Sequence, residues 1–98
     1  MILKKITVKD QVYDLITRGG NKSGGRKKLY ITNLNGTVTA KVYLYLEDAS
    51  SNKYYYLSGQ VIPTETTLEF NILAFDSATH SLRFKTTSNS PNIDIIYG

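Results

Sequence analysis

Cysteine and tryptophan are absent from this chain of 98 residues. Without cysteine the chain has neither a disulfide framework nor a thiolate zinc site, so its stability must come from packing or from assembly. No stretch approaches the roughly twenty apolar residues that a membrane-spanning helix needs. The first residues, which include Lys4 and Lys5, are not followed by the long apolar region of a leader segment. These absences predict a protein that stays in the cytoplasm unless a particle carries it elsewhere, and that has no membrane partner.

Threonine, serine, asparagine and tyrosine are plentiful, with eight tyrosines in the chain. Such a composition is typical of β proteins, whose strands favour β-branched and aromatic residues. The length suits one domain over residues 1–98, of a size that buries only about two-thirds of its unfolded surface. Self-association would therefore add useful buried area.

The clearest pattern is an alternation of apolar residues with polar residues and tyrosines over residues 37–48. Its apolar members are Val38, Ala40, Val42, Leu44 and Leu46. Side chains of a strand point alternately to its two faces, so this pattern predicts a strand with one buried face. We expect the other strands to be arranged around it.

Shorter strand patterns follow one another along the chain. They lie at residues 29–34, 53–58, 60–62, 67–75, 81–86 and 92–97. The dipeptide Asn35-Gly36 predicts a two-residue hairpin of type I′, which would make residues 29–34 and 37–48 antiparallel neighbours. Seven to nine short strands with turns at this spacing predict an all-β fold, either an antiparallel β-sandwich or a flattened barrel.

The N-terminal part of the chain leaves two questions open. Residues 2–8 can form an edge strand protected by its lysines, and residues 1–9 can equally be an arm whose order depends on a neighbour. Residues 8–18 fit both helical and strand spacing, and their β-branched residues favour the strand. We expect the edges at residues 2–8 and 92–97 to be able to join a neighbour's sheet, and deletion of residues 1–8 to weaken assembly and spare the fold.

Apolar residues of the predicted strands give a predicted core. Its members are Val38, Val42, Leu44, Leu46, Leu57, Ile62, Leu68, Phe70, Ile72, Leu82, Phe84, Ile93 and Ile95.

Residues 18–28 form a glycine-rich basic segment that carries five cations. They are Arg18, Lys22, Arg26, Lys27 and Lys28. The net charge of +4 is uneven: the first thirty residues carry a balance of +6, and the remainder carries −2. We expect a mobile loop here, which is either a solvated loop without a specific role or a loop whose cations bind a partner, such as an acidic neighbouring subunit or the phosphates of nucleic acid. The uneven charge also favours head-to-tail packing of subunits.

Tyrosines are the second candidate for partner binding. Tyr43 and Tyr45 fall on the polar face of the central strand, and Tyr54 and Tyr56 share a face of the next strand. Outward tyrosines two residues apart can pair across strands to shield the sheet, form a subunit interface, or offer a platform for bases or sugars.

Groups for catalysis are sparse. His80 is the one histidine, and the polar residues around it lie in one short turn, where they point in divergent directions and cannot form a triad. The carboxylates lack the dense spacing of a calcium loop. We therefore expect no enzyme, no cofactor and no metal site.

From residue 29 onward the strand and turn signals follow a specific order. They are Leu-Tyr-Ile-Thr-Asn-Leu-Asn-Gly at residues 29–36, Val-Tyr-Leu-Tyr-Leu-Glu-Asp at 42–48, Tyr-Tyr-Tyr-Leu at 54–57, Ile-Pro at 62–63 with Thr-Leu at 67–68, Ser-Leu-Arg-Phe at 81–84 and Ile-Asp-Ile-Ile at 93–96. This order resembles the small β-sandwich virion proteins of tailed bacteriophages, particularly phages of marine bacteria.

The resemblance implies a structural protein present in many copies on a symmetric particle, as a head-decoration, neck or tail component. It would be made in the cytoplasm of a bacterial host and would bind copies of itself and other virion proteins. Two alternatives remain from the residues: a small nucleic-acid-binding β-barrel that uses the basic loop and the tyrosines, and a glycan-binding module. Against the barrel stands the sequence placement of cations, since Lys53 alone lies next to the tyrosine run.

Overall fold

The computed structural model describes residues 1–19, 27–72 and 75–98, and these form eight β-strands. The strands are β1 (Ile2–Ile6), β2 (Tyr13–Ile16), β3 (Lys27–Asn33), β4 (Ala40–Glu47), β5 (Lys53–Ile62), β6 (Thr66–Ile72), β7 (Ser81–Thr86) and β8 (Ile93–Tyr97). The prediction of an all-β fold is confirmed. Within the described ranges there is no helix of the length and apolar character that a membrane span requires.

Two four-stranded antiparallel sheets pack face to face. Sheet A has the order β1-β8-β3-β6, and sheet B has the order β2-β7-β4-β5. Consecutive strands mostly lie in different sheets, so the chain crosses repeatedly from one layer to the other. This arrangement is a β-sandwich, in which the inner faces of both sheets supply the core.

Every described strand contributes a buried residue to the core. The residue from β5 is Ile62, at the end of the strand. Eight predicted members are buried: Val42, Leu44, Ile62, Ile72, Leu82, Phe84, Ile93 and Ile95. Four more pack against this core while partly exposed: Leu46, Leu57, Leu68 and Phe70. Val38 is half-buried outside that cluster. The prediction missed Ile6, Leu15, Leu29, Ile31, Ala40 and Tyr97, all of which are buried.

Two strand predictions hold. The alternating segment at residues 37–48 forms β4, which lies between β7 and β5 and so has neighbours on both sides. The ambiguous segment at residues 8–18 contains β2, a strand that pairs with β7. Between β1 and β2 the chain turns through Asp10, which has a left-handed φ of 63°.

The predicted hairpin at Asn35-Gly36 is wrong, because β3 and β4 belong to different sheets. Neither residue adopts the left-handed φ that a type I′ turn requires. Instead, Asn35 Oδ1 accepts hydrogen bonds from the main-chain N–H groups of Thr37 at 2.9 Å and Val38 at 3.1 Å. An asparagine that bonds the backbone two and three residues ahead makes an open turn, which carries the chain from sheet A to sheet B.

The edges of sheet A differ from the prediction. Residues 2–8 contain an integral edge strand, because β1 pairs with β8 along its whole length and Ile6 is fully buried. The interpretation of residues 1–9 as an arm is therefore not supported. Residues 92–97 do not form an edge, since β8 lies between β1 and β3. The edges of this sheet are β1 and β6.

β5 carries two register shifts against β4. Tyr43 faces Ser58 and Val42 faces Gln60, so Gly59 is an extra residue, and its φ of 71° fits a bulge. Leu44 faces Leu57 and Tyr45 faces Tyr55, so Tyr56 is a second extra residue. Each shift reverses which face of the sheet the following residues occupy.

Candidate binding face of sheet B

The outer face of sheet B is built by the alternation of β4. Val42 and Leu44 enter the core, so Tyr43 and Tyr45 point away from it. Across the strands Tyr45 faces Arg83 of β7 and Tyr55 of β5. The three rings of Tyr43, Tyr45 and Tyr55, called here the tyrosine cluster, therefore meet on one surface.

Tyr55 joins the other two rings. Its centroid lies 5.1 Å from that of Tyr45 in a tilted arrangement and 6.5 Å from that of Tyr43 in an edge-to-face arrangement. Both distances lie in the range of favourable aromatic pairs. Tyr45 is 3% exposed and forms the base of the cluster, whereas Tyr55 is 49% exposed. The cluster thus offers one half-exposed ring supported from below.

Three lysines lie around the tyrosine cluster, one on each of β4, β5 and β7. Lys53 Nζ lies 5.9 Å from the centroid of the Tyr45 ring, and Lys85 Nζ lies 5.4 Å from that of Tyr43. Both distances allow a cation–π interaction. Lys41 lies on β4 opposite Val61, near the Gly59 bulge. Among the described residues, none of these three lysines is in a salt bridge.

Arg83 lies beside Tyr45 on this face and forms salt bridges with two carboxylates. Its Nε donates to Asp14 Oδ1 at 2.8 Å, and its Nη1 donates to Glu47 Oε2 at 3.1 Å. These bonds tie β2 to β4 across β7 and neutralise Arg83 locally. The positive charge of the face therefore comes from its three lysines.

Burial raises the pKa of Tyr45 above its ordinary value, and the nearby charge of Glu47 raises this pKa further, while Arg83 acts in the opposite direction. The phenol consequently stays neutral at physiological pH. It contributes no negative charge that would oppose an anionic ligand.

Of the four predicted tyrosines, Tyr56 is the one that packs on the core. Tyr43 and Tyr45 do point outward, although Tyr45 is covered by its neighbours. Tyr56 instead packs on the core, with its ring 6.0 Å from that of Phe70 in an edge-to-face contact. Tyr54 is exposed and lies 6.0 Å from the His80 ring, centroid to centroid.

The sequence prediction missed Tyr55. The run Tyr54-Tyr55-Tyr56 does not by itself indicate which of the three tyrosines faces outward. The extra residue at Tyr56 decides this, because it sets Tyr55 opposite Tyr45.

The structure describes the predicted basic loop at residues 18–28 only at its two ends. Arg18 is exposed in the turn after β2, where its main-chain N–H donates to Ser81 Oγ at 2.9 Å. Lys27 and Lys28 belong to β3, and Lys28 Nζ lies 2.9 Å from Glu69 Oε1. This contact raises the pKa of Lys28. Lys22 and Arg26 lie outside the described residues.

A second surface lies at the β1 edge of sheet A. Leu3 and Ile96 face each other across β1 and β8 and are 66% and 41% exposed. They line a hollow of about 230 Å³ together with Lys4, Lys5, Asp94 and Ile95. Lys5 Nζ contacts Asp94 Oδ1 at 2.6 Å on its border.

The described part of the chain holds no group of three or more His, Cys, Asp or Glu side chains placed to bind a metal ion. His80 Nδ1 is 2.7 Å from the hydroxyl of Thr79, a contact within its own turn. Comparison with family models, with curated proteins and with solved structures finds no match to this chain.

Proposed function

We propose that the protein is a structural subunit of a tailed-phage virion, serving as a head-decoration, neck or tail component. The observation that carries this proposal is the exposed apolar pair Leu3 and Ile96 beside the edge of β1 that no other described strand pairs with. Apolar side chains next to free backbone hydrogen-bonding groups suit contact with another subunit.

The β1 edge selects its partner by charge. Lys4 lies on the core-facing side of β1, between Ile2 and Ile6, and remains exposed because no strand covers it. A charged residue on the inner side of an edge strand discourages indiscriminate pairing with other chains. The neighbour must therefore offset this positive charge.

A second copy of this chain can supply that offset. The opposite edge of sheet A is β6, which carries Glu69 and follows Glu65. Glu69 is paired with Lys28 of the same chain, so Glu65 is the carboxylate that can offset the charge of a neighbour's Lys4. Contact between the basic edge of one copy and the acidic edge of the next is heterologous, and such contacts generate rings or tubes when they repeat. Rings and tubes are the forms that neck and tail components take.

Light scattering coupled to size-exclusion chromatography tests the proposed contact between copies. The protein is measured at low and high salt, at concentrations up to those used for crystallisation. We expect a mass that is a multiple of 11.0 kDa, reduced to the monomer by the double variant Leu3→Asp and Ile96→Asp. Val61→Asp, at an exposed position on β5 of sheet B, is the matched control. A monomer under every condition, or an oligomer indifferent to the double variant, would contradict the proposed contact.

The virion assignment has its own test. Mass spectrometry of density-purified particles from the strain that encodes the chain should detect the protein at many copies per particle. Its absence from intact particles would overturn the assignment.

A further inference from the structure

We propose that the outer face of sheet B binds single-stranded nucleic acid, with Tyr55 stacking on a base and Lys41, Lys53 and Lys85 contacting phosphates. This site is independent of the subunit contacts proposed for sheet A, since it lies on the opposite side of the sandwich.

The stacking position comes from the tyrosine cluster. Tyr55 is half-exposed, and Tyr45 below it and Tyr43 beside it hold its ring at centroid distances of 5.1 and 6.5 Å. A ring fixed by such packing loses little freedom when a base stacks on it. Aromatic platforms of this kind bind bases without strong sequence preference, because every base has a π-face.

The phosphate contacts come from three lysines on two sides of this ring. Lys53 and Lys85 are drawn towards the tyrosine rings by cation–π contacts, and Lys41 lies further along β4. No carboxylate of the described residues pairs with any of the three. From Lys41 to the position opposite Lys53, β4 rises about 20 Å, a length that suits a short segment of nucleic acid.

The sequence argued against nucleic-acid binding because few cations lie near the tyrosines, but the structure places more of them there. By sequence only Lys53 is near the tyrosine run, but the register places Lys85 directly opposite Tyr43 on β7. Lys41 is two residues from Tyr43 on the same strand. Proteins that bind single strands place cations beside their stacking face, and this face does so.

The combination favours a single strand over other anions. A duplex keeps its bases stacked on one another and offers no free face to Tyr55, and an acidic peptide does not carry a ring beside every anionic group as a nucleotide does. The ligand that uses both the half-exposed tyrosine and the three lysines is an unpaired polynucleotide.

Fluorescence anisotropy with a labelled twenty-residue oligothymidylate tests the proposal, with the matching duplex as a second probe. Three proteins are compared with the unmodified chain: Tyr55→Ser, the triple variant Lys41→Gln, Lys53→Gln and Lys85→Gln, and a charge-matched triple variant in sheet A, Lys4→Gln, Lys5→Gln and Lys28→Gln. Thermal unfolding curves establish that each variant is folded.

We expect the single strand to bind more tightly than the duplex, and Tyr55→Ser to weaken binding about tenfold or more. The lysine variant should also reduce the salt slope of log K by about 2, since each of three phosphate contacts contributes about 0.7. The charge-matched control should lose only a few-fold in affinity.

Three results would overturn the proposal. They are the absence of binding at low salt, equal losses in the two triple variants, and binding that is indifferent to Tyr55→Ser. The last would indicate a general attraction for polyanions, and the first would leave the face to a protein partner.

Discussion

The side-chain amide of Asn33 donates a hydrogen bond to the main-chain carbonyl of Ile62 at 3.2 Å, which joins an interior strand of sheet A to an edge strand of sheet B. The same Nδ2 lies 3.0 Å from the carbonyl of Val38, and Oδ1 accepts from the N–H of Asn35 at 3.1 Å. Asn33 is buried. One polar side chain thus fixes both the crossover between the sheets and the end of β5.

Asn33→Ala should lower the free energy of unfolding by about 1–3 kcal/mol, because it leaves buried carbonyl groups without their donor. Urea denaturation followed by circular dichroism measures this loss. Asn71→Ala, at an exposed position on β6, should change stability by less than about 0.5 kcal/mol. Equal effects of the two substitutions would contradict the role given to Asn33.

Ile6 and Leu3 provide a matched pair on β1. Ile6→Ala should destabilise the protein by about 2–5 kcal/mol, since it opens a cavity in the core, whereas Leu3→Ala at an exposed position should cost less than about 0.5 kcal/mol. Thermal and urea unfolding measure both. If Ile6→Ala is as mild as Leu3→Ala, residues 1–9 are an arm after all and β1 is not integral to the sheet.

Gly59 and Gly36 provide a second pair. Gly59 has a left-handed φ, and a Cβ at this residue would come 3.1 Å from Lys41 Cε. Gly59→Ala should therefore cost about 1–3 kcal/mol through backbone strain and shift the side chain of Lys41. Gly36→Ala should be tolerated, because the nearest atom would be Glu65 Oε1 at 3.7 Å and the residue is not left-handed. A large loss of stability in Gly36→Ala would indicate a left-handed φ at Gly36, as in the type I′ hairpin that the structure excludes.

Alkaline pH should destabilise the fold through its buried tyrosines. Burial raises the pKa of Tyr45, Tyr56 and Tyr97 above the ordinary value of 10.0. Below pH 10.0 these phenols are protonated in both the folded and the unfolded state, so their contribution to the free energy of unfolding is fully present. That contribution is lost as the pH rises through the raised pKa values. Tyr45→Phe should flatten the fall in stability above about pH 10 and leave a constant offset below about pH 9. An unchanged slope in this variant would show that Tyr45 ionises freely in the folded state.

Local patterns predicted the strands well, because the two-residue period of a strand is written in the residues themselves. β7 has the predicted bounds, and β4 lies within the predicted segment. Which strands share a sheet depends on distant contacts, and there the prediction failed. Asn35-Gly36 has the residues of a hairpin, but the hydrogen bonds of Asn33 and Asn35 direct the chain into the other sheet.

The candidate binding face was predicted in part for a similar reason. Tyr43 was placed correctly because β4 is regular there. Tyr55 and Tyr56 were exchanged because the extra residue in β5 reverses the alternation, and no residue type in the tyrosine run marks that position. The lysines that border the cluster belong to three strands, so only the register brings them together.

The pairing of strands also sets how fast the chain can find this fold. Of the six strand pairs in the described structure, β4 with β5 alone joins consecutive strands. Every other pair must close a long loop before its contacts form, and folds dominated by distant pairing take milliseconds to seconds. We therefore expect the β4–β5 hairpin, which carries the tyrosine cluster, to form the folding nucleus, so that substitutions within it slow refolding more than they speed unfolding.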